Sequence, residues 1–99
     1  MFCIINNTIL KEEENFEVSA SINDHSGSLE IACNIPNNKK VALALVSNSS
    51  KNLMGKKLYE SGECVVIPLK EYNADSFTLE ISDENGNAMS RYRIMRSYC

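Results

Sequence analysis

Apolar and polar residues alternate along three segments in the second half of this chain, and the alternation restricts the folds that it can adopt. The alternating apolar residues are Val65, Ile67 and Leu69 in the first segment, Phe77, Leu79 and Ile81 in the second, and members of the stretch 89–95 in the third. Successive side chains of a β-strand point to opposite faces, so a period of two buries one face and exposes the other. The pattern is typical of antiparallel β-structure.

Other apolar runs predict the remaining strands, at residues 2–5, 16–22, 29–35 and 41–46, with a short strand at 57–60. The run 41–46 is almost continuously apolar, so it is predicted to be the most buried strand. About seven short strands at near-regular spacing, without a repeat or a linker, indicate a sandwich or a small barrel. A chain of 99 residues has the length of one domain, and we expect residues 1–99 to form a single β-sandwich.

The segments between the runs carry residues that favour turns. Residues 23–27 and 36–38 are predicted turns, whereas residues 8–15 are compatible with a helical turn. Residues 47–57 lack periodicity and predict the longest loop, and residues 70–75 predict a crossover between two sheets. Asn85 and Gly86 suit the two positive-φ positions of a type I′ turn, so the last two strands should pair directly.

Seven residues on the most apolar strands share one parity, and we expect them to be buried together. They are Leu43, Leu45, Val65, Ile67, Phe77, Leu79 and Ile81. A shift of one residue would move the apolar set of a strand to the solvent face, so their burial fixes the register.

The formal net charge of the chain is −3 at pH 7. Nucleic acids and anionic membranes bind basic surfaces, so neither is an expected partner. Asn6 and Asn7 interrupt the first apolar run before a signal-peptide core can form, and no stretch reaches the length of a membrane span. These features predict a cytoplasmic protein.

Four cysteines, Cys3, Cys33, Cys64 and Cys99, include no Cys-x-x-Cys pair. A zinc site usually takes two ligands from one tight loop, and the chain has a single histidine, so we expect no metal and no cofactor. Free thiols are the preferred interpretation, although an even number permits two disulfides. Cys33 has the parity of the buried residues in its strand and Cys64 has the opposite parity, which disfavours a bridge between them.

The single histidine, His25, lies in the predicted turn at 23–27. Asp24, His25 and Ser26 are the residue types of a catalytic triad, but neighbouring side chains diverge and a triad requires convergence. The acidic run 12–14 lacks the alternating ligands of a calcium loop. We therefore expect no catalytic residues and no enzymatic activity.

The densest basic and aromatic cluster lies at the end of the chain, where Arg91, Arg93 and Arg96 occur with Tyr92 and Tyr98. Arg91 and Arg93 share one face of the last strand at a separation of about 7 Å, and two guanidinium groups at that distance can hold a carboxylate or a phosphate. Alternatively, both arginines form the solvent-facing half of the strand and protect it from edge pairing.

The order of motifs in this region resembles that of a known group of modules. The motifs are Val65-Val66-Ile67-Pro68-Leu69, then Phe77-x-Leu79-x-Ile81, then Asp83-Glu84-Asn85-Gly86 and finally Arg91-Tyr92-Arg93-Ile94. They are similar to those of bacterial immunoglobulin-like or fibronectin type III-like modules, although the tryptophan and the cysteine pair of antibody domains are missing. The resemblance implies an all-β, antiparallel, immunoglobulin-like sandwich with an accessory or interaction role.

These features predict a non-enzymatic domain that binds another protein, either as a free subunit or as a module of a larger chain. We expect the contact surface at Arg91, Tyr92 and Arg93, or at the 47–57 loop with Lys56 and Lys57, because loops and sheet edges are free to bind. A carbohydrate or small-ligand site on one sheet face is the alternative. The lack of tryptophan and the scattered tyrosines disfavour it.

Overall fold

A computed structural model describes residues 1–49 and 52–96, with residues 54–56 described by their backbone only. The described chain is all-β except for one short 3₁₀ turn, η1 (Leu69–Glu71). Its strands are β1 (Phe2–Ile9), β2 (Glu17–Asn23), β3 (Ser28–Asn34), β4 (Val41–Ser47), β5 (Asn52–Tyr59), β6 (Cys64–Ile67), β7 (Ser76–Asp83) and β8 (Ala88–Arg96). No helix in this part of the chain is long and apolar enough to cross a membrane.

The strands form two antiparallel sheets. One has five strands in the order β1-β8-β7-β4-β5, and the other has three in the order β2-β3-β6. A single cluster of buried side chains takes members from both sheets. The three-stranded sheet supplies Leu29, Ile31, Cys33 and Ile67, and the five-stranded sheet supplies Phe2, Val41, Leu43, Leu45, Phe77, Leu79, Ile81, Tyr92 and Ile94.

The predicted core is confirmed in its composition and in its parity. Six of the seven predicted residues are buried, and Val65 is half-buried against them. The burial pattern of β7 alternates from Ser76 to Ile81, as a period of two requires. Leu69 is the first residue of η1, in the crossover between β6 and β7, and its side chain is fully buried in the core. The expectation that residues 70–75 link two sheets is therefore confirmed.

Two expectations about the outer strands are wrong. Most of the predicted 47–57 loop belongs to β5, which pairs with β4 at the rim of the five-stranded sheet. The first strand does not stop at Asn6, because β1 continues to Ile9 along β8, and no helical turn forms at residues 8–15. A strand with one neighbour needs little apolar surface of its own, so polar residues and irregular register are tolerated there. Register shifts occur in β4–β5 and between Ile4 and Asn6.

The hairpin between β7 and β8 is present, but its turn is not type I′. Gly86 has a φ of 88°, whereas Asn85 does not have the positive φ that a type I′ turn requires. The N–H of Gly86 donates to the Asp83 carbonyl at 3.0 Å, and the N–H of Asp83 donates to the Asn87 carbonyl at 2.9 Å. The longer turn forms because the Asp83 side chain accepts the N–H groups of Asn85 and Asn87.

Candidate interaction surface

Strand β8 presents Arg91 and Arg93 on the outer face of the five-stranded sheet. Both residues are exposed, and the intervening Tyr92 is buried on the opposite face. The strand order places β8 between β1 and β7, so the arginines lie inside the sheet and not at its edge. The interpretation that they protect an edge in the folded protein is therefore wrong. A partner that contacts them must approach the face of the sheet or reach over β1.

Arg91 already has an acidic partner. It is opposite Glu80 on β7, and its Nε donates to Glu80 Oε2 at 2.9 Å. Both side chains remain partly exposed, so solvent screens the pair and it contributes little to stability. Glu80 nevertheless neutralises the charge of Arg91, so this guanidinium is a weak binding site for another anion.

Arg93 lies one pleat further along and has no comparable partner. Its neighbours across the ladder are Asn6 on β1 and Thr78 on β7, and both are uncharged. In the described residues, Arg93 forms neither an ion pair nor a side-chain hydrogen bond. An exposed guanidinium that is not paired retains all its donors for a carboxylate or phosphate.

The structure separates the other predicted site residues from these two. Tyr92 is 7% exposed and belongs to the core, a placement that the alternation of residues 91–94 already indicates. Lys57 is exposed on β5, three strands away from β8 and hence about 14 Å across the sheet. Lys56 lies in the same strand, but its side chain is outside the described residues, as is all of Tyr98.

Sequence reasoning did not identify the polar neighbours of the arginines. Glu80 was detectable in principle, since it has outward parity on β7 and the hairpin places it opposite Arg91. Asn6 and Thr8 could not be identified in this way, because they lie beside β8 only through the pairing of the first strand with the last.

Arg96, the third arginine of the cluster, has a structural role. Its guanidinium carbon lies 4.7 Å from the centroid of the Phe2 ring, which also packs against Phe77 at 5.9 Å. Its Nε is 3.8 Å from Asp75 Oδ1. The first contact joins the end of β8 to the start of β1, and the second joins it to the residue before β7, so Arg96 is less available to a partner than Arg93.

The three tyrosines that the structure describes do not form a platform for sugars. Tyr59 and Tyr72 are half-buried, Tyr92 is buried, and Tyr72 packs edge-on against Phe77 at 6.4 Å. Stacking on a sugar ring requires an exposed aromatic face, and none of the described tyrosines is exposed.

A depression of about 360 Å³ lies beside the β7–β8 turn and is lined by Ala42, Leu58, Asp83, Glu84, Asn85 and Gly86. One of its two carboxylates, that of Asp83, already has partners within the protein. Lys11 Nζ donates to Asp83 Oδ2 at 2.9 Å, and Asn87 Nδ2 donates to the same oxygen at 3.2 Å. Hydrogen bonds from Lys11 and Asn87 hold the pKa of Asp83 far below the usual carboxyl range. An external cation would have to displace Lys11, so the depression is not a built cation site.

The residues with catalytic potential are dispersed. His25 is exposed in its turn, where Asn23 Oδ1 accepts the backbone N–H groups of His25 and Ser26. The acidic run 12–14 contributes one weak ion pair, with Glu13 Oε2 3.8 Å from Lys11 Nζ. Among the described residues, no three His, Cys, Asp or Glu side chains converge as metal ligands do.

The cysteines differ in state. Cys33 is buried and free, and Cys64 is exposed and free, as their parities predict. Burial raises the pKa of the Cys33 thiol, with smaller contributions from Glu63 and Cys64. Cys3 is disulfide-bonded, so the preference for free thiols is wrong at this position.

Comparison of the chain with models of protein families, with characterised proteins and with solved structures finds no significant match.

Proposed function

We propose that this chain is an immunoglobulin-like β-sandwich that binds another protein through the outer face of its five-stranded sheet. It acts without catalysis, either as a subunit or as an accessory module. The observation that carries the proposal is Arg93, an exposed guanidinium on an internal strand with no acidic residue directly opposite it on β1 or β7. Chemistry of this kind suits an acidic group on a partner.

The strand order supports the immunoglobulin-like part of the proposal. Without β1, seven strands remain, β2 to β8. One sheet contains β2, β3 and β6, which are the first, second and fifth of the seven. The other contains β8, β7, β4 and β5, which are the seventh, sixth, third and fourth. Immunoglobulin constant domains pair the first, second and fifth strands in one sheet and the third, sixth and seventh in the other. The fourth strand is the variable element, and here it joins the second group.

The dispersion of its reactive groups supports a role without catalysis. His25 is exposed in the turn between β2 and β3, Cys33 is buried in β3, and the strongly perturbed carboxylate Asp83 is bound by Lys11. Catalytic groups converge on a position that a substrate can reach.

The two arginines provide a matched test of the surface. The full chain, carrying an affinity tag, is expressed in its native source, and co-purifying proteins are quantified by mass spectrometry for wild type, Arg93→Ala and Arg91→Ala. We expect Arg93→Ala to deplete the specific partner about tenfold, because a charge-assisted contact is lost. Arg91→Ala should have a smaller effect, because Glu80 already pairs with that side chain. Equal recovery with wild type and both variants would refute the proposal.

The cellular location expected from the sequence is the cytoplasm, and this remains a prediction. The disulfide at Cys3 favours an oxidising compartment, because structural disulfides are rare where thiols are kept reduced. Fractionation of the native source, with antibody detection of the chain, distinguishes the two locations.

A further inference from the structure

The outer edge of β1 differs from the other edges of the two sheets. Natural proteins protect edge strands with charged residues, proline or short length. Strand β2 carries Glu17, β5 carries Lys56 and Lys57, and β6 has four residues and precedes Pro68. Strand β1 is eight residues long and contains no charged residue, proline or glycine, and its one irregularity is the register shift between Ile4 and Asn6.

The second half of β1 also exposes apolar side chains. Ile5 is 51% exposed and Ile9 is 59% exposed, and in the described sheet this strand is paired only with β8. From Asn6 to Ile9 the pairing with β8 is regular, and an uncharged edge of this kind with exposed apolar residues beside it is a template for another strand. The region 5–9 is therefore the part of the described molecule best suited to strand addition.

The charge next to this edge indicates what kind of strand it would accept. Asn6 and Thr8 are the short side chains of β1 that pair with Arg93 and Arg91. A strand added to β1 would lie two strand spacings, about 10 Å, from β8. The long side chain of Arg93 can extend over Asn6 towards that position, and an acidic side chain on the added strand can meet it.

We propose that β1 accepts an extended segment of a partner protein as an additional strand, with apolar residues beside Ile5 and Ile9 and an acidic residue paired with Arg93. This inference rests on the proposed function and specifies how the partner binds. A second copy of β1 is a poorer occupant, because that strand has no carboxylate to offer Arg93.

The test begins with selection of peptides from a displayed library of random decamers against the full chain. The enriched peptides should alternate apolar and acidic residues. Hydrogen exchange of the complex should show new protection of backbone amides in residues 5–9, and none in β6, because strand addition forms hydrogen bonds at the accepting edge.

Three charge variants then locate the binding site of the selected peptide. Ile9→Glu and Arg93→Glu should each weaken binding at least tenfold. The first places a charge where the ligand presents apolar residues, and the second places an acidic side chain beside the acidic residue of the ligand. Val66→Glu is the matched control, since Val66 is 57% exposed on β6, the edge strand of the other sheet, and this variant should bind as wild type does. Exchange of the acidic residues of the peptide for lysine should restore binding to Arg93→Glu.

Failure of the inference can be distinguished from failure of the proposed function. Absence of enriched peptides, or enriched peptides that protect another strand, would overturn strand addition at β1. A dimer in light scattering that Ile9→Glu converts to a monomer would assign the edge to a second copy instead. If the native partner still depends on Arg93 in either case, face binding stands and only the inference about β1 fails.

Discussion

Lys11 and Asp83, 72 residues apart in the sequence, are joined by a 2.9 Å hydrogen bond between Nζ and Oδ2. The segment that leaves β1 is thereby tied to the turn between β7 and β8. The N–H groups of Leu10 and Lys11 strengthen the connection, because both donate to the Met89 carbonyl. Asp83 is 7% exposed and its oxygens accept four hydrogen bonds from Lys11, Asn85 and Asn87, so its charge is compensated where it is buried.

Acid should weaken this contact. The pKa of Asp83 is lower in the folded protein than in the unfolded chain, so its contribution to stability is present above the unfolded value of about 3.9 and is lost as the pH falls below it. In urea denaturation, we expect the difference in unfolding free energy between wild type and Asp83→Asn to be constant near neutral pH and to shrink below about pH 4.

Glu84→Gln is the control for this prediction, because it removes a charge from the same turn at an exposed position. If its pH profile equals that of Asp83→Asn, the contact with Lys11 is not the cause. The pKa of Lys11 is raised by its hydrogen bond to Asp83, so its own contribution persists through neutral pH and is lost only as the solution becomes strongly alkaline.

The register of β7 predicts unequal costs of truncation at neighbouring positions. Phe77 is fully enclosed in the core, so Phe77→Ala should lower the unfolding free energy by about 3 to 5 kcal/mol. Thr78→Ala and Ser76→Ala should cost much less, because these side chains are on the outer face and only partly buried. Chemical denaturation of the three variants tests the register, and equal midpoints would contradict it.

Substitutions in the β7–β8 turn distinguish the observed turn from a type I′ turn. Gly86→Ala should cost about 1 to 2 kcal/mol, because an L residue is strained at a φ of 88°. Asn85→Ala should cost less, since Asn85 does not have a positive φ and alanine keeps the N–H that donates to Asp83. In a type I′ turn both residues have positive φ, so alanine would be strained at either position. Equal decreases in melting temperature for the two variants would therefore indicate a type I′ turn.

Alkylation with iodoacetamide should modify the cysteines in a fixed order. Cys64 is exposed and should react in the folded protein, whereas Cys33 is buried with a raised pKa and should react only after unfolding. Cys3 should react only after reduction. Peptide mass spectrometry after each step reports the order, and early modification of Cys33 would show that β3 does not bury it.

The interior was predictable from the sequence because parity alone determines it. Leu43, Ile67 and Phe77 are buried for a reason that is visible in their own segments, and the same reasoning separates Cys33 from Cys64. The extents of β1 and β5 were not predictable in this way. The length of an edge strand depends on how far it pairs with its single neighbour. Strand β1 continues through Asn6 and Asn7 because both residues pair with β8.

The candidate site was predictable only in part. Alternation indicates that Arg91 and Arg93 share a face, and it also indicates that Tyr92 does not. The difference between the two arginines depends on which residue faces each of them across the ladder. Glu80 lies opposite Arg91 and Thr78 opposite Arg93, and this requires the pairing of β7 with β8 to be known.

The pairing of β1 with β8 has a kinetic consequence. Strands β7 and β8 meet through a local turn, whereas β1 and β8 can meet only after a loop containing most of the chain has closed. Closing a long loop takes more conformational entropy than closing a short one, so β1 should be among the last strands to dock. Until it docks, the side of β8 that later pairs with β1 is an open edge, and we expect the exposed charges of Arg91 and Arg93 to disfavour addition of another chain there.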